Sequence, residues 1–204
     1  MNKHAGKIAL YSLVALLGLA SCSKESIFAS IESEIKMKDP SVKGTVTNLA
    51  EYGGSIYAAN GRLMRKVGSS RSWIQTALPA GAFRCTEVAS SGTAGALFAI
   101  FQDAKWSFHS LQRFDGSSWS VVATAVPVVG IRNGAGSIYA FLEDSADYSA
   151  GNINATYSVV TVSSAGAVSA PIVAGTPSRP MAASGTVVAT STAVYDGGVL
   201  VPAG

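Results

Sequence analysis

A repeat with a period near 41 residues constrains this chain more than any other feature. Ile56-Tyr57-Ala58 returns as Leu97-Phe98-Ala99 and again as Ile138-Tyr139-Ala140, 41 residues apart each time. Val187-Val188-Ala189 follows after 49. A glycine stands just ahead of each copy, at Gly54, Gly95, Gly136 and Gly185. A second landmark reads L-x-R-x-x-G-S-S and then Trp: Leu63 to Ser70 with Trp73, and Leu111 to Ser118 with Trp119. The third copy, from Tyr157 to Val168, is diverged. Self-similarity at a fixed period means one supersecondary unit used repeatedly, each copy burying a face against the next.

Short β-branched and aromatic runs between Gly, Ser, Asn and Asp clusters make each unit four short strands. The first copy predicts strands near Thr45–Glu51, Ser55–Ala59, Arg62–Val67 and Ser72–Ala77. The second predicts Phe83–Ala89, Ala96–Phe101, Phe108–Phe114 and Trp119–Ala123. The third runs from Val128 to Val173 with an insertion at Glu143–Asn154. Asn60-Gly61, Asp115-Gly116 and Asp196-Gly197 supply tight turns.

Four strands per ~40 residues is the spacing of a β-propeller blade. The expected fold is therefore all-β, a propeller-like array of four-stranded blades over residues 44–204. About three blades are complete, and a fourth opens before the chain reaches Gly204. Three explanations fit that count: a truncated longer parent, which is favoured, a small four-bladed or open array, or an assembly completed by a second chain. In layout the blades resemble those of sialidase-like and kelch-like propellers, although no Asp-box (S-x-D-x-G-x-T-W) and no WD dipeptide occurs. Trp73 and Trp119 are expected to pack between neighbouring blades.

The N-terminus is a different kind of sequence. Lys3 and Lys7 precede a 13-residue apolar run, Ile8 to Ala20, too short for a bilayer-spanning helix of ~17–25 residues. Charged, then apolar, then small residues is the order of a secretory leader. The run ends in Leu19-Ala20-Ser21-Cys22, which resembles the lipobox of bacterial lipoproteins. That resemblance implies removal of residues 1–21 and lipidation of Cys22, the nucleophile that takes the diacylglyceryl group. Two or more acyl chains hold a protein stably on a membrane. Residues 22–43 then form a tether. Ile27, Phe28, Ile31 and Ile35 fall at helical spacing, Glu34 and Lys38 pair at i,i+4, and Asp39-Pro40 ends the pattern.

Charge excludes one class of partner. Only 13% of the 204 residues are charged, about half the usual ~25%. Of the 15 basic residues, Lys3 and Lys7 belong to the leader, leaving 13 against 12 acidic ones. No basic stripe remains to displace counterions from a phosphate backbone, so nucleic acid is not an expected partner.

Residues that carry chemistry are few. After the leader, Cys85 has no disulfide partner; it alternates with Phe83 on one strand face and reads as a buried structural thiol. His109 lies on a period-2 strand with no G-x-S-x-G elbow to support a triad. Glu143, Asp144 and Asp147 cluster in the insertion, but their spacing fits no EF-hand. Arg65 and Arg113 occupy equivalent repeat positions. No catalytic residue, cofactor or metal is therefore expected.

The resulting expectation is a lipid-anchored, extracytoplasmic protein of a bacterial envelope, favouring the outer membrane, and a binding module rather than an enzyme. The chain is similar to propeller-type surface lipoproteins of spirochaetes. That resemblance implies a host extracellular-matrix protein, such as fibronectin or laminin, or another envelope protein as partner. The alternatives are a periplasm-facing scaffold for envelope assembly and a propeller-type glycan hydrolase. The hydrolase would need arginines and an acid pair converging at the propeller axis.

Overall fold

The computed structural model describes residues 45–69, 72–105, 109–147 and 154–202. They belong to the second of two compact units, Ser41–Gly204. The leader, the tether and Cys22 lie outside the described residues.

Sixteen strands form four sheets, and each is an antiparallel meander in chain order. The first blade is β1 (Asn48–Tyr52), β2 (Ser55–Ala59), β3 (Leu63–Val67) and β4 (Ile74–Gln75). The second is β5 (Arg84–Ser90), β6 (Leu97–Gln102), β7 (His109–Phe114) and β8 (Trp119–Val121). The third is β9 (Val128–Arg132), β10 (Ser137–Asp147), β11 (Asn154–Ser163) and β12 (Val173–Thr176). The fourth is β13 (Pro180–Ser184), β14 (Val187–Thr190), β15 (Val194–Asp196) and β16 (Val199–Val201). The sheets follow one another around their first strands as propeller blades do, β1 beside β5, β5 beside β9 and β9 beside β13.

The turns explain the tight meander. In β1–β2 the two linking residues are Gly53 (φ 56°) and Gly54 (φ 67°). A two-residue hairpin whose centre is left-handed at both positions matches strand twist, and glycine takes that conformation without a Cβ clash.

Blades are held by three apolar seams among the described residues. Ala50, Tyr57 and Leu63 of the first blade pack on Cys85, Val88, Leu97 and Phe101 of the second. The other face of the second blade, with Phe98, Ile100 and Leu111, meets Val128, Ile131, Ile138 and Ala140 of the third. Phe141, Val159 and Val173 of the third meet Val188 of the fourth. Covered on both faces, β6 loses the alternation of a half-exposed strand: every residue from Leu97 to Phe101 is buried.

Two expectations need amendment. The fourth blade has all four strands, β16 pairing β15 from Val199 to Val201, although no Trp marks it. The insertion at Glu143–Asn154 lengthens a hairpin: β10 and β11 run 11 and 10 residues, with a bulge between Glu143 and Ser145. Asp144 accepts a hydrogen bond from the Ser158 hydroxyl at 2.5 Å. That carboxylate is committed to a cross-strand bond. Among the described residues no group of three His, Cys, Asp or Glu is placed to hold a metal ion.

Candidate functional site: the inner strands and the first seam

Polar side chains on the first strands tie each blade to the next. Strand register makes Asn48, Glu87 and Gly130 equivalent positions, since each lies one place before the residue paired with an alanine of the second strand. Asn48 Oδ1 accepts the backbone N–H of Val88 at 2.8 Å. Glu87 Oε2, one blade on, accepts that of Ile131 at 2.7 Å. The same position thus satisfies a donor on the neighbouring inner strand, twice. At the third copy a side chain does not fit. A Cβ on Gly130 would stand 2.9 Å from Phe141, with Arg179 and Glu87 each at 3.6 Å.

Arginines take over at that third seam. Arg132 forms a 2.9 Å ion pair with Glu87, donates from Nε to the Met181 carbonyl at 3.0 Å, and lies 5.3 Å over the Phe141 ring. Arg179 reaches Glu87 Oε1 at 3.9 Å and donates to the Val129 carbonyl. Asn133 accepts from Ser90 N at 2.8 Å and donates to the Leu49 carbonyl at 3.1 Å. The cluster is therefore a latch joining second, third and fourth blades, with one carboxylate for two guanidiniums. Arg65 and Arg113, the arginines legible in the repeat, lie elsewhere, on the third strands.

Those two occupy one register position, opposite Tyr57 and Phe98 respectively, and do different things. Arg113 crosses the second seam and donates from Nε to the Ser164 carbonyl. Arg65 donates from Nε to Ser55 Oγ within its own blade at 3.1 Å, and its guanidinium carbon lies 5.9 Å over the Tyr57 ring. Its two terminal amines bond no described residue. Between the first two blades a cavity of about 360 Å³ remains, lined among others by Tyr52, Tyr57, Arg65, Thr76, Thr93 and Phe114. Tyr52 stands 6.4 Å from Tyr57 and edge-on to Phe114 at 6.2 Å. Burial pushes the Tyr57 phenol above its ordinary value, and the Arg65 charge pulls partly back.

The Asp115-Gly116 turn borders this cavity through Gly116. Backbone N–H groups of Ser118 and Ser117 donate to Asp115 Oδ1 at 2.9 Å each and hold its carboxyl well below the usual carboxylate range.

The other sequence candidates fall as follows. Cys85 is buried in the first seam; burial pushes its thiol up to about 12, and the Sγ sits 3.5 Å from the Glu87 carbonyl. A protonated thiol is a poor nucleophile, so Cys85 packs as a small apolar group. Trp119 meets Phe101 edge-on at 4.9 Å and lies tilted to Phe114 at 5.0 Å, packed against the first seam. Trp73 is half-buried just ahead of β4. The backbone of His109 pairs with Gln102 at the start of β7.

The TP013X lipoprotein family matches residues 4–198, nearly the whole chain, with the Leu19–Cys22 stretch inside the match. The chain belongs to the TP013X lipoprotein family. Two relatives, each named an uncharacterized lipoprotein of Treponema pallidum (strain Nichols), show how the likeness is spread. One is 38% identical over 66 residues, 32% of this chain and 14% of the relative. The other is 31% identical over 123 residues, 55% of this chain and 30% of the relative. The matched stretches thus span less than a third of either relative. Membership of the TP013X family makes this a spirochaetal type of lipoprotein, a lipid-anchored envelope protein, and its described residues form propeller-like blades.

Proposed function

We propose that the protein is anchored through lipid on Cys22 in the outer membrane and works there as a non-enzymatic binding module, attaching to a host extracellular-matrix protein. One observation carries the non-enzymatic part. Glu87, the carboxylate of the latch, is spent on the Ile131 N–H and on Arg132. A glycosidase needs two carboxyl groups facing one bond, and this cluster supplies one, already paired. What the blades offer instead is surface: loops, the seam cavity and exposed strand faces.

The anchor and the exposure are tested on cells. Cys22→Ala should abolish incorporation of labelled palmitate and move the protein from the detergent phase to the aqueous phase. Protease treatment of intact cells should remove the protein, and the full chain should bind immobilised fibronectin or laminin saturably. Protection from protease would favour the second reading, a periplasm-facing scaffold that binds another envelope protein.

A further inference from the structure

The first seam combines features that the latch among the inner strands lacks. Its arginine is fixed but not consumed: Nε is held by Ser55 Oγ at 3.1 Å, while the terminal amines bond no described residue. A guanidinium so placed presents parallel N–H groups that match a carboxylate. Beside it stand three aromatic rings, Tyr52 lying tilted to Tyr57 and edge-on to Phe114. The hydroxyls of Tyr52, Tyr57, Thr76 and Thr93 bond no described residue either, so four donor-acceptor groups border the same space. The cavity, about 360 Å³, is at the lower end of the ~300–1,000 Å³ found for small-molecule sites.

We propose that this cavity binds a carboxylated monosaccharide, Arg65 taking the carboxylate and the half-buried rings of Tyr52 and Phe114 packing on the apolar faces of the sugar. One positive charge calls for one negative charge, which excludes polyanions. Several hydroxyls that bond no described residue call for a polyhydroxylated ligand. An acidic peptide side chain would satisfy Arg65 alone and leave the hydroxyls unmatched. The site rests on the reading of this protein as a binding module, and gives that module its ligand class.

The test is calorimetric titration of the full chain in detergent with D-glucuronate, with D-glucose and an acidic hexapeptide as separate arms. Tryptophan fluorescence supplies a second readout, since Trp119 lies 5.0 Å from Phe114. Glucuronate should bind saturably and change the emission, and glucose should bind at least ~10-fold more weakly for want of a charge-assisted contact. Arg65→Gln should weaken glucuronate at least ~10-fold and Tyr52→Ala several-fold, with unchanged circular dichroism. Equal binding of glucose, an unaffected Arg65→Gln variant, preference for the hexapeptide, or no saturable signal would each overturn the site. If Arg65→Gln abolishes sugar binding but spares attachment to matrix protein, the sugar site stands and matrix attachment lies elsewhere. Matrix binding with no sugar binding in the parent protein sinks the sugar site alone.

Discussion

The second and fourth blades share a strand order, yet they are differently made. The second lies between two seams, and its central strand β6 is buried throughout. The fourth packs on the third, and among the described residues Val188 is its buried member of that seam. Its opposite face, with Val187, Val194, Val199 and Val201, is 41–71% exposed. Every backbone ladder is present in both. The difference teaches that hydrogen-bonded pairing defines a blade, whereas apolar contact with the next blade stabilises it. A four-stranded sheet of this size buries too little by itself.

The largest expected effect that sharpens this contrast comes from the second blade. Phe98→Ala removes a fully buried ring from the seam with the third blade. It should cost about 3–5 kcal/mol in urea unfolding, whereas Leu200→Ala at the exposed β16 should stay within ~0.5 kcal/mol. Similar losses at both sites would break the comparison.

Next comes the latch. Glu87→Ala leaves the Ile131 N–H without its acceptor and Arg132 without its ion pair. A loss of about 2–3 kcal/mol is expected, since a group left buried and unpaired costs more than the bond contributed. Glu87→Gln keeps an acceptor and should lose less. Equal thermal shifts for the two variants would show that the Ile131 bond is idle.

The buried thiol gives a pH signature. Cys85 titrates near 12 in the folded protein, above the ordinary thiol value of 9.0. A raised value means the folded state holds its proton more tightly. Its contribution is therefore complete below pH 9 and lost as pH rises from 9 towards 12. Stability followed by urea titration should decline over that window, and Cys85→Ala should flatten the decline. Thiol reagents at pH 8 should label Cys85 only once the chain unfolds.

The smallest effect compares the equivalent arginines. Arg113→Ala removes a bond across the second seam and should cost about 1 kcal/mol, while Arg65→Ala should lie within ~0.5 kcal/mol, measured by thermal unfolding. The reverse order would mean that Arg65 is a structural residue.

Much of the fold is legible in the repeat because its landmarks are packing landmarks. Ser55–Ala59 is predicted and observed with the same ends, for Tyr57 and Ala59 must face the seam while Gly54 forces the turn. The fourth strand of the first blade is predicted from Ser72 to Ala77 but pairs only at Ile74–Gln75. An outermost strand has one neighbour, and short exposed runs there do not fix their own length. Acidic residues in β10 concealed a strand, because Asp144 finds a cross-strand partner in Ser158 that composition does not show.

The site was half visible. Repeat alignment pairs Arg65 with Arg113 but says nothing of which one closes its seam. That depends on whether the next blade brings a carbonyl within reach, as Ser164 does. The latch was hidden altogether. Its members, Glu87, Arg132 and Arg179, come from three blades and sit at non-equivalent positions, so no spacing links them.

Hydrogen exchange on the full chain, read by mass spectrometry, tests most directly whether neighbours rather than ladders stabilise each blade. Amides of Leu97–Gln102 should exchange only through global unfolding, while those of Val187–Val201 should open far more readily, by local fraying of the fourth blade. Equal protection of the two segments would contradict the account.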